Sequence, residues 1–265
     1  MAFLETIGES TVDSLAYLGN LARLTGGASR AVFIEPFRGR KLGMGRAVHQ
    51  AMSVGVEAIP IVSLISFFVG IILALQGAYQ LRKLGALQLV ASAVVLVITR
   101  ELGPLMTAII VIGRSGSAFA AEIGTMKVNE ELDALETMAL DPIHFLVAPK
   151  FLAMLLMLPC LTLWGDFMSV CGGGTFGVSF AGFTWASYFR ATLDALVMRD
   201  IVTGLLKSIL FAIVITAVGC QEGIATGLGA EEVGRSTTSA VVKSIFLVIC
   251  VDLIFTAIFY FAGPR

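Results

Sequence analysis

Arg100 and Glu101 stand side by side in the middle of an apolar run, VVLVITRELGPLMTAIIVI, which covers residues 94–112. An isolated charge at the centre of a bilayer costs about 2.5–3.5 kcal/mol on insertion scales. Adjacent residues of a helix point about 100° apart, so these two side chains cannot neutralise each other well. Each therefore needs a partner from a second helix, a second copy of the chain, water or a ligand.

Two hypotheses explain this pair of charges, and the residues alone leave both open. In the first, the charges form a polar spot in a cavity, where the forked guanidinium of Arg100 can hold two phosphate oxygens. In the second, they form internal ion pairs that lock helices together, for instance with Asp166 or Asp252. The Gly103-Pro104 pair that follows weakens the helix, which is tolerated where the chain lines a cavity or packs against protein.

The composition is that of an integral membrane protein. Of 265 residues, 57% are hydrophobic and 14% are charged, and the mean hydropathy is +0.91, whereas soluble domains carry about 25% charged residues. The net charge of −1 gives no indication of nucleic-acid binding. The four cysteines have no C-x-x-C spacing and the two histidines lie far apart, so no metal site is expected.

One segment comes close to a phosphate-binding loop, GAEEVGRS at residues 229–236. Arginine replaces the lysine of that motif, two glutamates would face the phosphates, and the segment lies between two apolar spans rather than between a strand and a helix. We therefore reject it, and we expect no ATP hydrolysis, no cofactor and no catalytic residue in this chain.

Five apolar spans have the length of about 20 residues that a hydrocarbon core of about 30 Å requires. We predict these spans at residues 58–79, 87–112, 151–176, 201–220 and 241–261. The fold class is then an all-α membrane protein with a five-span domain at residues 47–265. Lysine and arginine are more frequent on the side that holds the N-terminus, which predicts a cytoplasmic N-terminus and a C-terminus on the far side.

An amphipathic helix precedes the spans, in a segment at residues 1–46 that ends in a connector rich in glycine and basic residues. One helical face carries apolar residues, namely Leu4, Ile7, Leu15, Leu18 and Ala22. We predict that this helix lies in the membrane interface. Because its polar face is acidic, a cytoplasmic helix packed on a partner is the alternative.

The loop between the second and third spans, residues 113–150, contains a short acidic amphipathic helix. Asn129 is its predicted N-cap and Pro142 its stop signal. The residues of its candidate contact surface are Asn129, Glu130, Glu131, Leu132, Leu135 and Met138. The periodicity fits two interpretations, a helix packed on its own membrane domain and a helix docked into a cytoplasmic subunit.

The run TRELGPLMTAIIVIGRSGSAFAAEIGTMKVNEELDALETMALDP, residues 99–142, strongly resembles the core of the MlaE permease family. Members are membrane subunits of ABC transporters that move lipids between bacterial inner and outer membranes. The resemblance implies an inner-membrane homodimer with two ATPase subunits, which bind ATP and Mg²⁺, and a periplasmic ring of MCE-domain proteins. It also implies a STAS-type accessory subunit in some systems, and it makes the loop helix the coupling helix that inserts into the ATPase.

With that resemblance, a stripe on the first span becomes a candidate wall of a phospholipid-binding cavity. A lipid needs an apolar wall for its tails and a few polar groups for its head. The predicted cavity residues are Leu73, Gln76, Gly77, Gln80, Leu81, Leu84, Arg100 and Glu101. We interpret the chain as the permease of an ATP-driven phospholipid transporter. The alternative is an ion-coupled secondary transporter that uses Arg100, Glu101, Asp166 and Asp252 as a relay.

Overall fold

The computed structural model describes residues 2–35 and 43–262, with side chains except those of residues 2–11, 13, 14, 260 and 262. Part of the predicted connector, residues 36–42, and the side chains of Leu4 and Ile7 lie outside this description. The described residues form helices joined by turns, with no strand among them. This confirms the predicted all-α class.

Eleven α-helices make up the described part of the chain. The first three are α1 (Ala2–Phe33), α2 (Met44–Val54) and α3 (Ile59–Lys83). They are followed by α4 (Val90–Val97), α5 (Gly103–Val111), α6 (Ser117–Val128), α7 (Glu131–Thr137) and α8 (Ala148–Phe180). The last three are α9 (Trp185–Ala195), α10 (Met198–Ile224) and α11 (Ala230–Ala262).

Five helical stretches in the described ranges are long and apolar enough to cross a membrane. They run over Met44–Lys83, Leu87–Val128, Ile143–Phe180, Met198–Ile224 and Ala230–Phe259. The number of predicted spans is therefore confirmed, but several boundaries were wrong. The second span does not end at Ile112 as predicted, because a π-helical turn at Ile112–Gly116 carries the helix on into α6.

A second π-helical turn, at Ile98–Leu102, joins α4 to α5 and contains both candidate charges. Pro104 sits in the first turn of α5, where its missing N–H group is tolerated. The Gly103-Pro104 pair thus widens one turn of the second span without ending the helix. Turns of this kind in helices are frequent at functional sites.

Small residues let the spans approach closely around α8. A Cβ atom added at Gly70 of α3 would overlap the carbonyl oxygen of Ser169, and one added at Gly172 of α8 would overlap that of Phe67. The second and fourth spans also approach closely, since a Cβ atom at Gly204 of α10 would overlap the carbonyl oxygen of Thr99. Close backbone packing of this type is how membrane helices associate without a hydrophobic driving force between them.

The glycine-rich end of α8 forms a groove for one aromatic side chain of α9. Tyr188 is fully buried there, and Cβ atoms added at Gly173, Gly174 or Gly177 would crowd its ring or hydroxyl. Burial, together with the nearby Cys171, raises the pKa of Tyr188 to about 12, so the phenol stays neutral at physiological pH. The groove fixes α9 against α8 of the third span, and the same cluster joins it to α4 of the second span.

The N-terminal helix is longer than predicted, since α1 continues through the two glycines at residues 26 and 27 to Phe33. Leu21, Leu24 and Ala28 are buried against the membrane domain. Leu15 and Leu18, on the predicted apolar face, are exposed. The helix therefore presents an apolar stripe away from the protein, and its position in the membrane interface stays a prediction.

Candidate functional site

Arg100 leaves the π-helical turn towards the start of the fourth span. Its Nε donates a hydrogen bond of 2.6 Å to Oδ1 of Asp200, in the first turn of α10. The carboxylate is 4% exposed, whereas the arginine side chain is 54% exposed. Asp200 Oδ2 has no hydrogen-bond partner among the described residues, so the ion pair is made by a single hydrogen bond and is not bidentate. Both Nη groups of Arg100 therefore remain available to another partner.

Glu101 points to a different residue of the same helix, Lys207, with which it forms an ion pair. Lys207 Nζ also lies 2.8 Å from Oδ1 of Asp252 and donates a hydrogen bond of 2.8 Å to Oγ1 of Thr256. The Thr256 hydroxyl lies 3.2 Å from both carboxylate oxygens of Glu101. This closed network joins the second, fourth and fifth spans around a lysine side chain that is 2% exposed.

The structure thus supplies ion pairs for both charges, as the locking hypothesis requires. Asp252 takes part through Lys207, but Asp166 does not, because its Oδ1 faces Gly103 without a hydrogen-bond partner in the described chain. Sequence reasoning missed Lys207 and Asp200. A signal for Lys207 was present, since it is a single lysine within the apolar run of the fourth span.

Some residues of the predicted stripe on α3 are packed inside the chain and others are exposed. Leu73 and Leu81 pack against a cluster on α4 that includes Ile98, two residues before Arg100. Three residues of the stripe, Gln76, Gln80 and Leu84, are exposed, and a Cβ atom added at Gly77 would meet open space. In the described chain, the hydrogen bonds of Arg100 and Glu101 go to α10 and α11 and none goes to this stripe.

The short acidic helix of the loop is present as α7, but its apolar face is turned inwards. Leu132 and Leu135 are buried in a cluster that includes Leu24 of α1 and Phe151 of α8. The chain's own core covers these two leucines here, and their insertion into an ATPase groove stays a prediction. Met138, which is 63% exposed, and the acidic residues remain on the outer surface.

The ends of α7 also differ from the prediction. Glu130, at φ 60°, occupies the N-cap position of α7, whereas Asn129 is the C-cap residue of α6. At the other end, Ala139 takes φ 57°, and the amides of Ala139 and Leu140 bond back to the carbonyls of Glu136 and Leu135 at 2.9 and 3.0 Å. This pair of bonds is a Schellman motif, and it ends the helix before Pro142.

Comparison with known proteins assigns the chain to a family. The model of the permease MlaE family matches residues 47–258, which include three of the five spans in full and nearly all of the first and the fifth. This chain belongs to the MlaE permease family.

Several relatives match this MlaE permease over most of its length. A probable ABC transporter permease protein of Rickettsia conorii is 36% identical over 255 residues, 96% of each chain. The intermembrane phospholipid transport system permease protein MlaE of Haemophilus influenzae is 32% identical over 262 residues, 98% of each chain. The chloroplastic protein TRIGALACTOSYLDIACYLGLYCEROL 1 of Arabidopsis thaliana is 34% identical over 220 residues, 83% of this chain and 63% of that protein.

Proposed function

We propose that this MlaE permease is the membrane subunit of an ATP-driven transporter that moves phospholipids between an inner and an outer membrane. One observation carries the proposal, the similarity over 98% of both chains to the Haemophilus protein, whose name states intermembrane phospholipid transport. ATP and Mg²⁺ belong to a separate ATPase subunit, and this chain holds no cofactor. The further partners are a periplasmic MCE-domain ring and, in some systems, a STAS-type accessory subunit.

The transport cavity lies between two copies of the chain. Gln76 and Gln80 of α3 and the guanidinium of Arg100 are exposed in a single copy, although polar groups at membrane depth need a partner. A second copy related by a two-fold axis would cover them and enclose a space for lipid. Leu73, Gly77, Leu81 and Leu84 would form the apolar part of the wall.

The two charged residues have different roles in that cavity, lipid binding for Arg100 and helix packing for Glu101. Arg100 is bound to Asp200 through Nε alone, so its Nη groups can hold the oxygens of a lipid phosphate. Glu101 is committed to Lys207 and Thr256. It therefore holds the second span against the fourth and fifth and keeps the neighbouring arginine in place.

Coupling to the ATPase uses the outer surface of α7 instead of its buried leucines. Glu130 and Glu131 lie at the exposed start of this helix, and Met138 lies at its exposed end. Asn129 marks the turn from α6 into α7. Leu132 and Leu135 anchor α7 to the membrane domain by packing in its core. This contact would transmit movement of the ATPase to the spans. This requires a cytoplasmic N-terminus and a C-terminus on the periplasmic side of the inner membrane.

Reconstitution of the complete complex tests the function. The permease, its ATPase and its MCE partner are placed in vesicles, and a fluorescent phospholipid is followed as it passes to acceptor vesicles. The expected result is lipid transfer that requires both ATP and this chain. Transfer that follows an ion gradient and ignores ATP would contradict the proposal, as would ATP hydrolysis by the full complex without any movement of lipid.

A further inference from the structure

A cavity of about 720 Å³ lies at the α7 end of the spans, between α2, α6 and α8. It is separate from the network around Lys207, since none of the residues of that network lines it. Its charged lining consists of three cationic side chains, Arg46, Arg114 and Lys150, and two carboxylates, Glu57 and Glu122. The lining therefore carries a surplus of one positive charge.

The two carboxylates of the cavity are each committed to a cation. Arg114 Nη2 donates a hydrogen bond of 2.5 Å to Oε2 of Glu57, and its Nη1 donates one of 2.6 Å to the carbonyl of Ser53. Lys150 is buried and forms an ion pair with Glu122. The positive surplus therefore resides on the remaining cation, Arg46.

Arg46 is held in place by neutral groups. Its Nη1 donates a hydrogen bond of 2.6 Å to the carbonyl of Phe145, and its guanidinium carbon lies 3.5 Å from the centre of the Phe145 ring. No carboxylate among the described residues pairs with it. The stacked, hydrogen-bonded plane fixes the guanidinium, and Nε and Nη2, which lie next to Gly43, donate to no acceptor among the described residues. Two donors for an anion are therefore already oriented.

The wall of this cavity continues into an exposed apolar surface. Val48 and Met52 are exposed on α2, while Arg46 and Gln50 on its other face line the cavity, and His49 lies between the two faces. With 25 residues, α3 alone is about 38 Å long, enough to cross a hydrocarbon core of about 30 Å. Because α2 precedes α3 through a 3-10 turn at Val56–Ala58, we place α2 at the depth of the lipid headgroups.

We propose that this cavity binds the phosphate-bearing headgroup of one anionic phospholipid, such as phosphatidylglycerol, from the leaflet at the α7 end. The phosphate lies on the free donors of Arg46 and beside His49, and the acyl chains lie along Val48 and Met52. Basic pockets between membrane helices commonly serve anionic headgroups in this way. The bound lipid is a resident of the permease, distinct from the lipid that is transported, and the inference does not depend on transport.

Lipid retention in nanodiscs tests this site. The full chain is placed in phosphatidylcholine nanodiscs with or without phosphatidylglycerol, released for native mass spectrometry, and unfolded by heat. Wild-type protein should retain phosphatidylglycerol and unfold at a higher temperature when it is present. Arg46→Gln should lower the preference for phosphatidylglycerol about fivefold, the worth of one basic residue near a membrane surface.

Matched variants keep the test sharp. Lys83→Gln removes the same charge from an exposed site at the other end of α3 and should leave retention unchanged. If Arg46→Gln does not fold, His49→Ala, at an exposed position on the cavity rim, should lower the preference, because it removes a hydrogen-bonding side chain from beside the phosphate. Equal retention by wild type and the cavity variants would overturn the proposal. So would full stabilisation by inorganic phosphate in pure phosphatidylcholine, which would identify a site for soluble anions.

Discussion

Replacing Lys207 by methionine tests whether the network in the spans is a structural lock. The change keeps the length of the side chain but leaves the carboxylates of Glu101 and Asp252 facing each other without a cation. Removing one partner of a buried ion pair costs about 3–5 kcal/mol. The side chains of Glu101 and Asp252 are 39% and 15% exposed, so solvent lowers the cost towards about 3 kcal/mol.

This loss is large enough to measure by thermal unfolding in detergent. At about 2–4 °C per kcal/mol for a chain of this size, the midpoint should fall by about 6–12 °C. Adding Asp252→Asn to Lys207→Met removes one stranded charge and should recover part of the loss, which a double-mutant cycle measures. Lys83→Met, at an exposed lysine, is the control. Unfolding of Lys207→Met at the wild-type temperature would refute the lock.

Three further outcomes follow from the same structure. Gly70→Ala should lower folded yield and stability by about 1–3 kcal/mol, because its methyl group meets the carbonyl of Ser169; an unchanged midpoint would contradict the close approach. Met138→Asp should weaken co-purification of the ATPase while the permease stays folded. Leu135→Asp should instead reduce the yield of folded permease, since it buries a charge. The reverse pattern would support the hypothesis that Leu132 and Leu135 face the ATPase. Arg100→Lys should keep thermal stability but slow lipid transfer about tenfold, because a lysine cannot hold two phosphate oxygens at once; wild-type transfer would remove the arginine from lipid handling.

The five spans could be predicted from the sequence because length and apolar content are local properties. The partners of Arg100 and Glu101 could not, because pairing depends on how α10 and α11 lie beside the π-helical turn. The sequence shows that an intramembrane charge needs a partner, and it contains Lys207 as a single lysine in an apolar run. It does not show which of several distant charges reaches which.

Periodicity has the same limit at α7. Leu132 and Leu135 share one face in any helix that contains them, so an apolar contact could be predicted. What covers that face depends on the position of α1 and α8, whose residues Leu24 and Phe151 lie in the same cluster. The predicted start of the loop at residue 113 was also wrong, because Gly113 lies in a continuous helix.

The spacing of the partners on α10 explains why Arg100 and Glu101 can serve different purposes. Asp200 and Lys207 are seven residues apart, two turns along one face and about 10 Å apart. Two adjacent residues of the second span therefore form ion pairs with the fourth span at two levels. These pairs fix the rotation of the fourth span about its own axis as well as its distance from the second span. Because the contact at Lys207 is closed by Asp252 and Thr256, the second, fourth and fifth spans are held together there without any contribution from Arg100. Under the proposed function, Arg100 therefore binds a lipid phosphate through its Nη groups while Nε stays on Asp200, and the packing of the spans does not depend on whether lipid is bound.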